Sequence, residues 1–98
     1  MKIYLISQTV NTGYDTYDSA VVIAEDEEEA KRICPNGLYK CGKDDHWYFE
    51  YSDGGEEDKG LCPSYFNWCA VSDVKVKYIG EAKDGSEKGV VCASFNAG

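Results

Sequence analysis

Ala20-Val21-Val22-Ile23-Ala24-Glu25-Asp26-Glu27-Glu28-Glu29-Ala30-Lys31-Arg32-Ile33 changes physical character halfway along. Residues 20–24 form a continuous apolar run rich in β-branched side chains, the pattern of a buried strand. From Asp26 the pattern turns helical. Asp26 with Glu29 three residues on fits a capping box. Acidic residues in the first turn and Lys31 and Arg32 in the last complement the helix dipole. Glu27 with Lys31 and Glu28 with Arg32 are i,i+4 pairs worth roughly a few tenths of a kcal/mol each. Ala30 and Ile33, with Cys34 beside them, make an inward stripe, and Pro35-Asn36-Gly37 stops the helix. The stretch therefore predicts a strand running into a helix over about 26–33.

The rest of the chain reads as strands around that unit. Upstream, Lys2 to Ser7 is β-rich and almost wholly apolar in its middle, as a central strand would be, and residues 11–18 carry turn chemistry. Downstream, Trp47-Tyr48-Phe49-Glu50-Tyr51 alternates, with Trp47, Phe49 and Tyr51 on one face. Ser52 to Gly60 reads as an acidic, glycine-containing loop. Tyr65 to Val71 fits a short strand or one turn of helix. Asp73 to Ile79 is a clean amphipathic strand with Val74, Val76 and Tyr78 inward, and its lysines discourage edge-to-edge aggregation. Lys83-Asp84-Gly85-Ser86 makes a turn before a last strand, Gly89 to Phe95, and the two strands look like an antiparallel hairpin. The expected class is α+β: a mostly antiparallel sheet of about four to six strands with one helix packed on one face.

Length and composition set the setting. A chain of 98 residues has room for one core, so residues 1–98 are expected to be a single domain. No stretch approaches the roughly 18 apolar residues of a membrane span, and the apolar start is too short for a signal-peptide core, so a cytoplasmic location is expected. The net charge is −8, and it is uneven. Residues 1–58 hold 14 acidic and 5 basic side chains, against 4 and 5 in residues 59–98. That sign repels phosphate backbones and anionic lipid, so direct binding to nucleic acid or membrane is not expected. Arg32 is the single arginine, which also argues against a phosphate clamp.

Gly13-Tyr14-Asp15-Thr16-Tyr17-Asp18-Ser19-Ala20-Val21-Val22, Glu27-Glu28-Glu29-Ala30 and Ala93-Ser94-Phe95-Asn96-Ala97-Gly98 resemble a family of small proteins encoded by bacteriophages and integrated mobile elements. The likeness covers both ends of the chain and leaves the cysteine-bearing middle, residues 34–69, outside it. The resemblance implies a phage setting and, with it, an early accessory or anti-defence role such as an anti-CRISPR-like inhibitor. It implies no residue roles.

Two segments share one cysteine spacing, Cys34-Pro35-x5-Cys41 and Cys62-Pro63-x5-Cys69. Four thiols, with His46 in reserve, would suffice for one tetrahedral Zn²⁺, and a metal would help a small domain hold long loops. The usual knuckle is C-x2–4-C, which aims two thiolates at one point through a tight turn; these wider gaps do not. Reduced, partly buried thiols are favoured over zinc or a disulfide, and no metal or cofactor is expected. His46 beside a cysteine would make a nucleophile–base pair, but the plainer reading is a surface histidine next to Asp44 and Asp45. No catalytic residue is named. Asp53 to Asp58 lacks the alternating ligands of a calcium loop.

The acidic segments remain. An acidic face on a small phage-type domain can occupy the basic groove of a partner. Tyrosine on loops is typical of interfaces, because it gives area at low entropic cost. The expected partner site is therefore Glu27, Glu28, Glu29, Asp53, Glu56, Glu57 and Asp58, with Tyr14 and Tyr17, facing a host protein with a basic surface. Solvated loops and a tyrosine-covered core rim are the plainer alternatives. The expected function is a binding protein and not an enzyme. The alternatives are a zinc-stabilised module on Cys34, Cys41, Cys62 and Cys69, a small enzyme using Cys–His chemistry, or a domain that sequesters a ligand in an aromatic pocket.

Overall fold

In the computed structural model, which describes residues 1–62 and 67–96, the two apolar runs of the first quarter pair with each other. β1 (Lys2–Ser7) and β2 (Thr16–Ala24) run antiparallel, Ile6 opposite Ala20 and Tyr4 opposite Val22. Alternation along each strand buries Tyr4, Ile6, Ala20, Val22 and Ala24 on one face. The turn between the strands is built around Gln8, whose side chain is buried. Its Nε2 donates to the carbonyls of Asn11 (2.7 Å) and Tyr17 (2.8 Å), and its Oε1 accepts from the N–H groups of Val10 (2.9 Å) and Asn11 (2.8 Å).

α1 (Glu27–Ala30) follows β2 directly. Asp26 Oδ1 accepts the Glu29 N–H at 2.8 Å, as the capping pattern predicts, and Glu29 Oε1 reaches the Glu25 N–H at 2.9 Å. The helix is shorter than the expected 26–33 and ends after one turn. Pro35 biases Cys34 towards extended backbone, and Ile33 leaves the helix to bridge Lys40. Lys31 and Arg32 thus lie beyond the last turn. Arg32 nonetheless makes its i,i+4 pair with Glu28 at 3.1 Å.

The chain then forms a second, smaller sheet where one sheet was expected. Its strands are β3 (Tyr39–Cys41), β4 (Trp47–Glu50) and β5 (Glu56–Gly60), paired antiparallel in that order. β5 occupies part of the predicted loop 52–60. A tight turn over 51–55, with Tyr51 N–H donating to the Gly55 carbonyl at 2.7 Å and Gly54 at φ 90°, folds the acidic run back along β4. Charged residues suit such an edge strand.

After a single 3₁₀ turn (Val71–Asp73), β6 (Lys75–Glu81) and β7 (Gly89–Asn96) return to the first sheet. They do not form the expected hairpin. The order is β6-β1-β2-β7, so each takes one open edge of the β1–β2 pair and the 82–88 connection passes across the end of the sheet. The Ala82 N–H donates to the Met1 carbonyl (2.9 Å), and Lys88 pairs with Glu29 (3.1 Å) on the way. The ambiguous 65–71 segment lies partly outside the described residues.

One buried cluster draws on both sheets and the helix, with Tyr4, Ile6, Val22, Ala30, Cys34, Trp47, Trp68, Cys69 and Val74 among its members. Trp47 and Trp68 are fully buried. Each removes on the order of 200 Å² from water, about 5 kcal/mol of transfer free energy before any entropy cost. Residues 67–69 stitch the parts together. Trp47 Nε1 donates to the Cys69 carbonyl (3.1 Å), Asn11 Nδ2 to the Trp68 carbonyl (2.9 Å) and Tyr17 N–H to the Asn67 carbonyl (2.8 Å). No helix among the described residues is long and apolar enough to cross a membrane.

Candidate partner-binding cleft on the small sheet

The small sheet has an apolar face and a polar one. Trp47 is buried in the core, Tyr39 and Phe49 meet edge to face at 6.1 Å, and Phe49 meets Tyr51 at 5.0 Å. Cross-strand register sets Lys40, Tyr48 and Asp58 in one row, and Glu50 opposite Glu56. Residues 39–60 contain seven acidic and three basic side chains.

At the end of this sheet lies a cleft of about 400 Å³, walled by Gly42, His46, Tyr48, Glu56 and Asp58. Local backbone shapes it. Between β3 and β4 the chain turns through Asp44 and Asp45, both in the left-handed region (φ 58° and 59°), which aspartate tolerates better than most residues. Gly42 N–H donates to the His46 carbonyl at 2.8 Å and closes the turn. A Cβ on Gly42 would sit 3.1 Å from the Tyr48 ring, so glycine lets that ring lie against the backbone.

His46 Nδ1 lies 2.9 Å from Asp58 Oδ2 and 3.1 Å from Oδ1. The hydrogen bond to Asp58 raises the His46 pKa above its ordinary value. The same bond, with the Gly60 N–H that Asp58 Oδ1 accepts at 2.7 Å, lowers that of Asp58. Further along β5, the Tyr51 hydroxyl donates to Glu57, which also pairs with Lys59 at 3.0 Å, and both hold the Glu57 carboxyl below its usual range.

The nine predicted partner residues are treated unequally. Glu28 is tied to Arg32, which also grips Asp45 at 2.8 Å, and Glu29 is tied to Lys88. Glu57 and Asp58 are engaged as described. Asp53 Oδ1 accepts the Gly55 N–H at 2.8 Å and serves the turn. Glu27 and Glu56 are in no ion pair among the described residues. Tyr14 stands 77% exposed, whereas Tyr17 is half-buried and packs on Phe95 with centroids 4.8 Å apart. His46, Tyr48 and Gly42 were absent from the predicted site. The signal for them was Asp53-Gly54-Gly55, a turn sequence that returns Glu56–Asp58 along β4.

The thiols differ in burial. Cys34 and Cys69 are buried, Cys41 is half-buried, and Cys62 and Cys92 are exposed, all five free. Burial pushes the Cys34 and Cys69 thiols up to about 12 and also raises Cys41. Among the described residues, no group of three or more His, Cys, Asp or Glu is placed to hold a metal ion. No protein-family model, no curated protein and no solved structure matches the chain.

Proposed function

We propose that this protein is a small acidic binding protein that engages a basic surface of a host-cell protein and modulates it, in the manner of an anti-defence inhibitor carried by a mobile element. The cleft on the small sheet is its contact point, and the group it takes is a lysine or arginine side chain of the partner. The observation that carries this reading is the lining itself. Glu56 offers an exposed carboxylate with no ion partner among the described residues, and Tyr48 offers an aromatic wall for a cation. Asp58 is already balanced by His46 when the imidazole is protonated. A cation entering beside Glu56 therefore meets a negative charge that no described side chain compensates.

Binding fits this lining better than catalysis. His46 held by Asp58 resembles the base and orienting group of a nucleophilic site, but among the described residues the cleft lining contains no serine, threonine or cysteine to activate. Affinity capture from host lysate at low and high salt tests the proposal. The native chain should retain a basic protein at low salt, and Glu56→Lys, which changes an exposed β5 side chain of the cleft, should lose it while melting at the same temperature. Equal retention by the folded reversed chain would refute the reading.

A further inference from the structure

Tyr48 walls a second cleft as well as the first. This one, of about 380 Å³, lies between the small sheet and the start of β7, and its walls include Ile33, Val90 and the Cys34 and Cys41 thiols. Register makes the two clefts neighbours. Ile33 bridges Lys40, Lys40 stands opposite Tyr48, and Tyr48 stands opposite Asp58, so one row crosses the small sheet from an aliphatic side chain to a carboxylate. The second cleft offers apolar surface and no free charge. Arg32 and Lys40 line it too, but Arg32 is held by Glu28 and Asp45, and Lys40 by Glu50 at 3.2 Å. Burial raises both thiols, Cys34 to about 12, so they stay neutral near pH 7. Gly37 and Gly89 add no side chains to the walls, and Val90 is 38% exposed.

We propose that the two clefts form one recognition surface, which takes a basic side chain beside Glu56 and an aliphatic side chain of the same partner segment against Ile33 and Val90. This rests on the reading of the first cleft as a cation site. Charge selects the occupant, because a chain carrying −8 draws in a basic segment and repels an acidic one. Glu56 by itself would accept any exposed lysine or arginine. The apolar wall supplies the discrimination, since a segment without the aliphatic group leaves that wall in water. Lys40 and Asp58 lie two strands apart, roughly 10 Å, a span that an extended chain covers in about three residues. The partner segment therefore carries a lysine or arginine with a leucine, isoleucine or valine about three positions away. Tyr48, its ring against Gly42, stands between the two side chains and fixes their separation.

Two tetrapeptides blocked at both ends, Lys-Gly-Gly-Leu and Lys-Gly-Gly-Gly, test this by amide NMR titration of the native chain at low salt. Both should shift the amides of residues 56–58. The leucine peptide alone should also shift residues 33–37 and 89–90, and it should bind at least about fivefold more tightly. Val90→Ser, a change to an exposed side chain, should remove that advantage and leave the affinity of the glycine peptide unchanged. The comparison of peptides on the native chain stands even if this variant does not fold. Equal affinities for the native chain overturn the proposal and leave the cation site standing. An advantage that survives in the folded Val90→Ser chain, or leucine-dependent shifts confined to another part of the molecule, overturns it too. If neither peptide moves the 56–58 amides, the cation site itself fails and the paired clefts fall with it.

Discussion

His46 and Asp58 meet across the small sheet, Nδ1 2.9 Å from Oδ2, although the strand register sets Asp58 opposite Tyr48. The contact joins the turn before β4 to β5 and shapes one wall of the cleft. It also couples the cleft to pH.

The sign follows from the two shifts. His46 is raised above 6.5, so its share of stability is complete below that value and is lost as pH rises through the raised one. Asp58 is lowered below 3.8, so its share is present above that value and is lost as pH falls through the lowered one. In an NMR titration the imidazole midpoint should lie above 6.5 and move down in Asp58→Asn. As His46 loses its proton the cleft becomes more negative, so a cationic partner should bind more tightly on the alkaline side of that midpoint. A native midpoint at or below 6.5 would contradict the pairing.

Gln8 is itself buried and satisfies four backbone groups of the turn through part-buried hydrogen bonds. Gln8→Leu keeps the volume and abandons all four. Unfolding in urea should show a loss of about 2–4 kcal/mol, the cost of several unsatisfied buried polar groups partly relieved by local opening. A loss below about 1 kcal/mol would mean that the 8–17 turn stands without its hub.

Thiol reactivity should sort by burial. With Cys34 and Cys69 pushed up to about 12, almost no thiolate exists there at pH 8. Iodoacetamide on dilute native protein should modify Cys62 and Cys92 first and Cys41 slowly. Cys34 and Cys69 should react only after unfolding. Rapid native labelling of Cys34, read by peptide mass spectrometry, would contradict the packing around it.

The local physics of the first third was legible before any coordinates. The apolar runs at 2–7 and 20–24 and the cap at Asp26 state their own conformations, and the structure follows them. What failed was information that lies between segments. Ile33 fits a helical stripe but is claimed by Lys40, and the helix stops early. Glu56-Glu57-Asp58 has poor strand propensity and is held as a strand by β4. The 73–79 and 89–95 strands suggest a hairpin from their proximity in sequence, yet each is drawn to a different edge of the β1–β2 pair. The cleft was half-legible for the same reason. Its carboxylates stood out as charge, whereas His46 and Tyr48 join them only through the β4–β5 register.

Glu56 and its cleft are proposed to receive a basic side chain of a partner. The most direct test is the association rate of the captured partner on immobilised native chain and on Glu56→Lys, measured from about 50 to 500 mM salt, a range over which exposed charges pass from long-range to largely screened. The rate on the native chain should fall steeply with salt. The folded variant at low salt should associate at least about tenfold more slowly, with a flatter salt slope. Equal rates and equal slopes for the two chains would show that the acidic cleft is only a solvated surface.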